Sequence, residues 1–257
     1  GWRVAFWVGI LPAFLIFFIR RGSDDSEVFK QALARSKARG ERTSLASIFR
    51  PNVIRITILA SLLALGAQGA GFAVSNYLTT FLADERGIGT AMAGICVMFN
   101  SLGGFFGFLV NAFVSDIVGR RNAFRLFGLG FVISSTIYLF GPWAGNLYAL
   151  IGLGMIYGFF QFGIYASFGP YFTELFPTEL RGTGQAFAYN FGRASSALFI
   201  MTVPFVAMSV PLGAAMAIVA ISGIGCALVA TLLLPETAGR RLQSLEDLEE
   251  GEPALAE

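Results

Sequence analysis

The run Ala112-Phe113-Val114-Ser115-Asp116-Ile117-Val118-Gly119-Arg120-Arg121 places an acid, a turn-forming glycine and two adjacent arginines close together in an otherwise apolar region. An acid followed by a tight glycine turn and two arginines can clamp neighbouring helix ends through charge-assisted hydrogen bonds. A second kind of chemistry is suggested by Arg193, which stands inside an apolar stretch that begins near Gly184. If that stretch crosses a membrane as a helix, nine residues at 1.5 Å per residue put Arg193 about 13 Å deep, close to the middle of a hydrocarbon core of about 30 Å. An arginine there costs at least about 2.5 to 3.5 kcal/mol. It must either face a cavity or partner, or snorkel back to the interface.

Other polar residues share these apolar stretches. Gln185, Tyr189 and Asn190 precede Arg193, and Tyr189 and Arg193 are four apart on one face. Gln68, Asn76 and Tyr77 lie in an earlier stretch, Asn100 in the next, and Tyr157, Gln161 and Tyr165 recur every fourth residue in another. Polar stripes on several helices of one bundle fit a central aqueous cavity that takes a small-molecule substrate. Each of these residues fits helix–helix hydrogen bonding equally well.

The elements that must position them are membrane helices. Of 257 residues, 55% are hydrophobic and 13% charged, against about 25% charged in soluble domains. Fourteen charges fall in residues 1–55, twelve in 56–239 and eight in the last eighteen positions. Seven stretches reach the roughly 20 apolar residues a membrane helix needs: residues 2–19, 53–82, 89–113, 124–141, 146–171, 184–207 and 212–234. The short connections between the last six force antiparallel neighbours. Lysine and arginine concentrate on one set of loops (20–52, 114–125, 172–183 and the tail), while the other set carries only Arg3 and Arg86. By the positive-inside rule, the long linker and the carboxy-terminus are cytoplasmic in a multi-pass protein of the cell (inner) membrane, with the lipid bilayer as a partner.

The organisation expected is a helix over 1–21, a linker over 22–52 that includes an amphipathic surface helix, a six-helix half-bundle over 53–235 and a polar tail over 236–257. Because Gly1 already opens an apolar stretch, the chain is expected to be a piece of a longer protein, with an amino-terminal half as its missing partner. A net charge of +2 with no basic stripe excludes nucleic acid. There is no histidine, and Cys96 and Cys226 lie alone in apolar runs. No metal or cofactor is therefore expected, and no enzyme, which would need clustered His, Asp, Ser or Cys at membrane depth.

The loop at 112–121 resembles the signature of the major facilitator superfamily, a glycine followed after three positions by D-R-x-G-R-R, with Ala112 and Ile117 as departures. Tyr171-Phe172-Thr173-Glu174-Leu175-Phe176-Pro177-Thr178-Glu179-Leu180-Arg181-Gly182-Thr183-Gly184 is similar to the E-L-F-P-T-x-x-R-G-T-G stretch between helices ten and eleven of its symporters. Leu234-Pro235-Glu236-Thr237-Ala238-Gly239 resembles the P-E-T-x-G that follows helix twelve, and Gly1-Trp2-Arg3 through Pro12-Ala13 the start of helix six. The resemblance implies an all-α membrane protein with seven transmembrane helices, the last of the first half plus the six-helix second half of a twelve-helix facilitator fold.

It further implies a cytoplasmic gate in which Glu174, Arg181 and Glu236 meet Asp116, Gly119, Arg120 and Arg121, and alternating-access symport of a small organic acid or related metabolite with protons. A sugar porter of the same superfamily is the alternative, although only Gln68 and Gly71 match the helix-seven pattern of those proteins. A seven-helix receptor would call for a lysine in the last helix or an extracellular disulfide, and the sequence has neither. No acid falls mid-segment between residues 56 and 239, so a proton carrier is expected in the missing half.

Overall fold

In the computed structural model of the chain, residues 45–143 and 146–239 are described, together with Trp7, Ile10, Phe14 and Ile16. Apart from those four positions, the expected first segment lies outside the described residues, as do most of the linker and the tail from 240. All contacts below fall within the unit that starts at Ser44.

Each of the last six apolar stretches is helical, and the described residues contain no strand. Arg50 hands over to α1, Pro51–Thr80, with proline at its start, where a missing N–H is harmless. It continues through a π turn, Phe81–Glu85. There follow α2, Gly89–Val118, and α3, Arg120–Phe140. The fourth span is α4, Leu147–Gly163, a 3₁₀ turn, Ile164–Ser167, and α5, Phe168–Leu175. The sixth stretch gives α6, Arg181–Ser195, and α7, Ala197–Ala207, and the last gives α8, Leu212–Leu233.

Five of these spans are long and apolar enough to cross a membrane. The sixth expected crossing is divided at Ser196 into two pieces, each too short alone. Together with a first segment outside the described residues, this leaves five candidate spans among the described residues where seven were expected. Two boundaries also differ. The connection expected over 114–123 is one residue, Gly119, because Ser115 to Val118 and Arg120 to Ala123 remain helical; counting apolar residues ends a helix too early where charged ones are hydrogen-bonded. The described end of the linker, Leu45–Phe49, is a 3₁₀ turn. Its Ile48 is fully buried, its Ile48 carbonyl accepts from Thr57 Oγ1 at 2.7 Å, and Phe49 meets Phe187 edge-on.

The packing has a two-fold logic. Taking α1–α2–α3 and α4/α5–α6/α7–α8 as two triplets, α1 packs on α6 as α2 packs on α4, α1 on α8 as α3 on α4, and α3 on α8. These pairings exchange when the triplets are exchanged, as expected of three-plus-three repeats in transporter halves. Close approach relies on small residues. A Cβ on Gly103 would strike the Met155 backbone, one on Gly107 the Phe159 backbone and one on Gly158 the Asn100 backbone, so α2 and α4 touch main chain to main chain.

Candidate functional site

The α2–α3 turn gathers charged groups from three elements. Gly119 adopts φ 95° and ψ 154°, a backbone shape that side chains disfavour, and so turns the chain between two helices in one residue. This exposes the first amides of α3, and a carboxylate from beyond α8 receives them. Glu236 Oε1 accepts from Arg120 N at 2.8 Å and Arg121 N at 3.3 Å. The same oxygen takes the amides of Thr237 and Ala238. A carboxylate on a helix N-terminus is favoured by both the free amides and the helix dipole. A Cβ at position 119 would stand 2.7 Å from Glu236 Oε2.

The Arg120 side chain completes the junction. Its Nε lies 3.1 and 3.2 Å from the two oxygens of Glu174, at the end of α5, and Nη2 is 3.1 Å from Oε1. Its Nη1 donates to Asp116 and to Ser115 Oγ at 3.1 Å. Both partners in the Arg120–Glu174 pair are largely shielded, whereas the Asp116 side chain is 65% exposed. Thr237 Oγ1 donates to Glu174 Oε2 at 2.6 Å, and the Tyr171 hydroxyl to Pro235 O at 2.8 Å. One arginine thus joins the α2–α3 turn, the end of α5 and the segment after α8.

Of the residues expected here, Asp116, Gly119, Arg120, Glu174 and Glu236 meet. Arg121 contributes its amide and donates to Leu234 O at 3.4 Å. Arg181 does not join the acids: its Nε donates to Thr173 O at 2.6 Å and its Nη2 to Thr178 Oγ1 at 3.2 Å, folding its own loop. Ser115 and Thr237 were not singled out from sequence, although each adjoins a singled-out acid. At the opposite end, Glu85 and Arg86 make contacts that were not expected from sequence. Glu85 accepts from Leu212 N and from Gly213 N at 3.1 Å, capping α8. Arg86 Nη2 donates to Leu139 O at 2.6 Å near the end of α3.

The interior polar residues divide into two groups. Gln68 Nε2 donates to Tyr189 O at 3.0 Å, Asn100 Nδ2 to Gly154 O at 3.1 Å, and Gln161 Nε2 to Gly71 O at 3.0 Å and to Ser75 Oγ. Tyr157 is fully buried and stacks on Tyr138. These four stand in helix–helix contacts. Tyr165 sits in the 3₁₀ turn, so the four-residue stripe with Tyr157 and Gln161 bends there. It stacks on Phe168, whose ring meets Tyr189 edge-on.

The second group faces outward. Asn76 and Asn190 are exposed and donate only to carbonyls of their own helices, Phe72 and Ala186. Gln185 is half-buried. Arg193 is exposed in the last turn of α6, and its side chain has no hydrogen bond or ion pair with a described residue. The acids of the described spans are all at helix ends or in turns: Asp84, Glu85, Asp116, Glu174, Glu179 and Glu236.

The sequence profile of the Major Facilitator Superfamily matches residues 1–200 and, again, 73–251. A probable 4-methylmuconolactone transporter of Cupriavidus pinatubonensis is 34% identical, over 99% of this chain and 58% of its own length. A cis,cis-muconate transport protein of Acinetobacter baylyi is 27% identical, over 92% and 57%. A citrate-proton symporter of Salmonella typhi is 24% identical, over 76% and 44%. The chain spans about half the length of these relatives. Among solved structures, the proton:xylose symporter XylE superposes with a TM-score of 0.56 at 20% identity, over 72% of this chain and 45% of that one.

Proposed function

The chain belongs to the Major Facilitator Superfamily, and on that footing we propose that it is the carboxy-terminal part of a secondary transporter that carries a small organic acid with protons by alternating access. The observation that carries this reading is Arg193: an exposed guanidinium in the last turn of α6, with no described side-chain partner and no described mid-helix acid to neutralise it. A guanidinium offers a bidentate fork to a carboxylate. Its natural counter-ion is the substrate carboxylate or an acid of the other half, and the names of the muconate and citrate relatives support the former. Asn76, Asn190, Gln185, Tyr165 and Tyr189 then border the substrate path, and Gln68, Asn100, Gln161 and Tyr157 hold the helices that form it.

The junction around Arg120 is the cytoplasmic gate in this reading, an orientation supported by the basic residues of the same loops. Asp116, Gly119, Arg121, Glu174 and Glu236 hold it, and Arg181 shapes the adjoining loop. The proton carrier belongs to the other half, which completes a twelve-helix protein.

The test is uptake of radiolabelled organic acids, cis,cis-muconate and citrate among them, by the full-length protein in proteoliposomes with an acid-outside pH gradient. Accumulation of at least one acid, abolished by a protonophore, is expected. Uptake unaffected by the protonophore would remove proton coupling from the reading, and uptake of neutral sugars but of no acid would replace it with the sugar-porter alternative.

A further inference from the structure

Pro204 stands inside α7. A proline has no N–H, so the carbonyl four residues earlier, that of Ile200, loses its usual helical donor. The donor it finds is on another helix: the Tyr77 hydroxyl of α1 donates to Ile200 O at 3.2 Å. In a membrane an unanswered carbonyl has no water to turn to, so this contact answers the carbonyl that Pro204 leaves without its helical donor.

At its start, α7 meets α6 at a single turn residue, Ser196, whose amide bonds Gly192 O at 2.9 Å and whose hydroxyl turns back to Arg193 O. The Phe199 ring lies in a slot of small residues, where a Cβ on Gly69 of α1 would be 2.6 Å away and one on Gly223 of α8 3.0 Å away. The ring thus takes up room that only glycine leaves free on the two helices. By contrast α6 is fastened to α1 through the Gly192–Ala64 approach and the Gln68–Tyr189 bond.

We propose that Tyr77 is a positioning residue of the transport cycle: its hydroxyl replaces the amide that Pro204 lacks, and making or breaking this bond lets α7 move against α1 while α6 stays attached. The consequence for transport rests on the function proposed above, whereas the hinge rests on α1 and α7 alone.

The test separates the two. In full-length protein lacking Cys96 and Cys226, the buried Val203 of α7 is replaced, Val203→Cys, and its maleimide labelling rate in membranes is measured. Tyr77→Phe raises labelling by about three- to tenfold, the worth of one hydrogen bond, and slows uptake at matched protein levels. In a Pro204→Ala background, which returns the N–H to Ile200, Tyr77→Phe changes neither. Pro204→Leu serves the same purpose if the alanine variant accumulates poorly. Unchanged labelling on Tyr77→Phe, or the same fold-change in both backgrounds, overturns the hinge. Absence of uptake by the unmutated protein, with the labelling pattern intact, would instead count against the transporter reading.

Discussion

The Glu236 carboxylate holds the amide of Arg120 at 2.8 Å, and its other oxygen fills the space that a side chain on Gly119 would need. A residue beyond the last helix thereby caps the third, while the Arg120 side chain reaches Glu174 at the end of α5. The far end of the bundle repeats the device, with Glu85 from beyond α1 on the first amides of α8. Both ends are thus pinned by an acid supplied from another element, and in neither case does the helix's own N-cap side chain do so.

Gly119→Ala tests the turn. Alanine must adopt φ 95° and displace the carboxylate, two penalties that together cost about 1 to 3 kcal/mol. Thermal unfolding of the purified full-length protein in detergent is expected at a clearly lower temperature, with transport reduced. An unchanged midpoint would show that the turn relaxes without loss.

Glu174→Gln and Asp116→Asn rank the two ion pairs of Arg120. The Glu174 pair is shielded and its loss weakens the junction by about 1 to 3 kcal/mol; the exposed Asp116 pair is worth about 0 to 1 kcal/mol. Exchange transport is expected to change at least about fivefold with Glu174→Gln and much less with Asp116→Asn, with equilibrium substrate affinity nearly constant in both, since neither acid touches the ligand. The reverse ranking would refute this account of the junction.

The sequence carried much of this arrangement, for identifiable reasons. Apolar runs bounded by charges mark helices 20 to 30 residues long, so α1, α2, α3 and α8 could be placed to within a few residues. Asp116, Arg120, Glu174 and Glu236 could be grouped because the motifs that carry them resemble facilitator-superfamily signatures, which implies that they meet. The break at Ser196 was not legible: a serine between apolar residues does not disfavour helix, and the contacts of α7 with α1, Phe199 against Gly69 and Ile200 O with the Tyr77 hydroxyl, join residues far apart in the chain. Nor could periodicity tell Gln161, which reaches Gly71, from Asn190, which bonds its own helix, because both are amides on apolar helices and the difference lies in what faces them.

Two glycines of α2 should respond oppositely. A Cβ at Gly103 would fall on the Met155 carbonyl of α4, whereas one at Gly94 meets nothing within 4 Å. Gly103→Ala is expected to destabilise by about 1 to 3 kcal/mol through overpacking. Gly94→Ala is expected to be neutral or to stabilise by up to about 1 kcal/mol through helix propensity. Detergent thermal melts of the two variants decide it, and equal shifts would contradict a main-chain contact between α2 and α4.

The most direct measurement concerns Arg193 in the full-length protein. Arg193→Lys keeps the charge and loses the fork, and Arg193→Gln loses both. At matched membrane levels, the lysine variant is expected to take up the organic acid substantially more slowly and the glutamine variant to retain less than about a tenth of the rate, the loss of one charge-assisted pair. Uptake by Arg193→Gln at the unmutated rate would contradict the account, because the guanidinium would then meet no carboxylate and the preference for anions would have no basis.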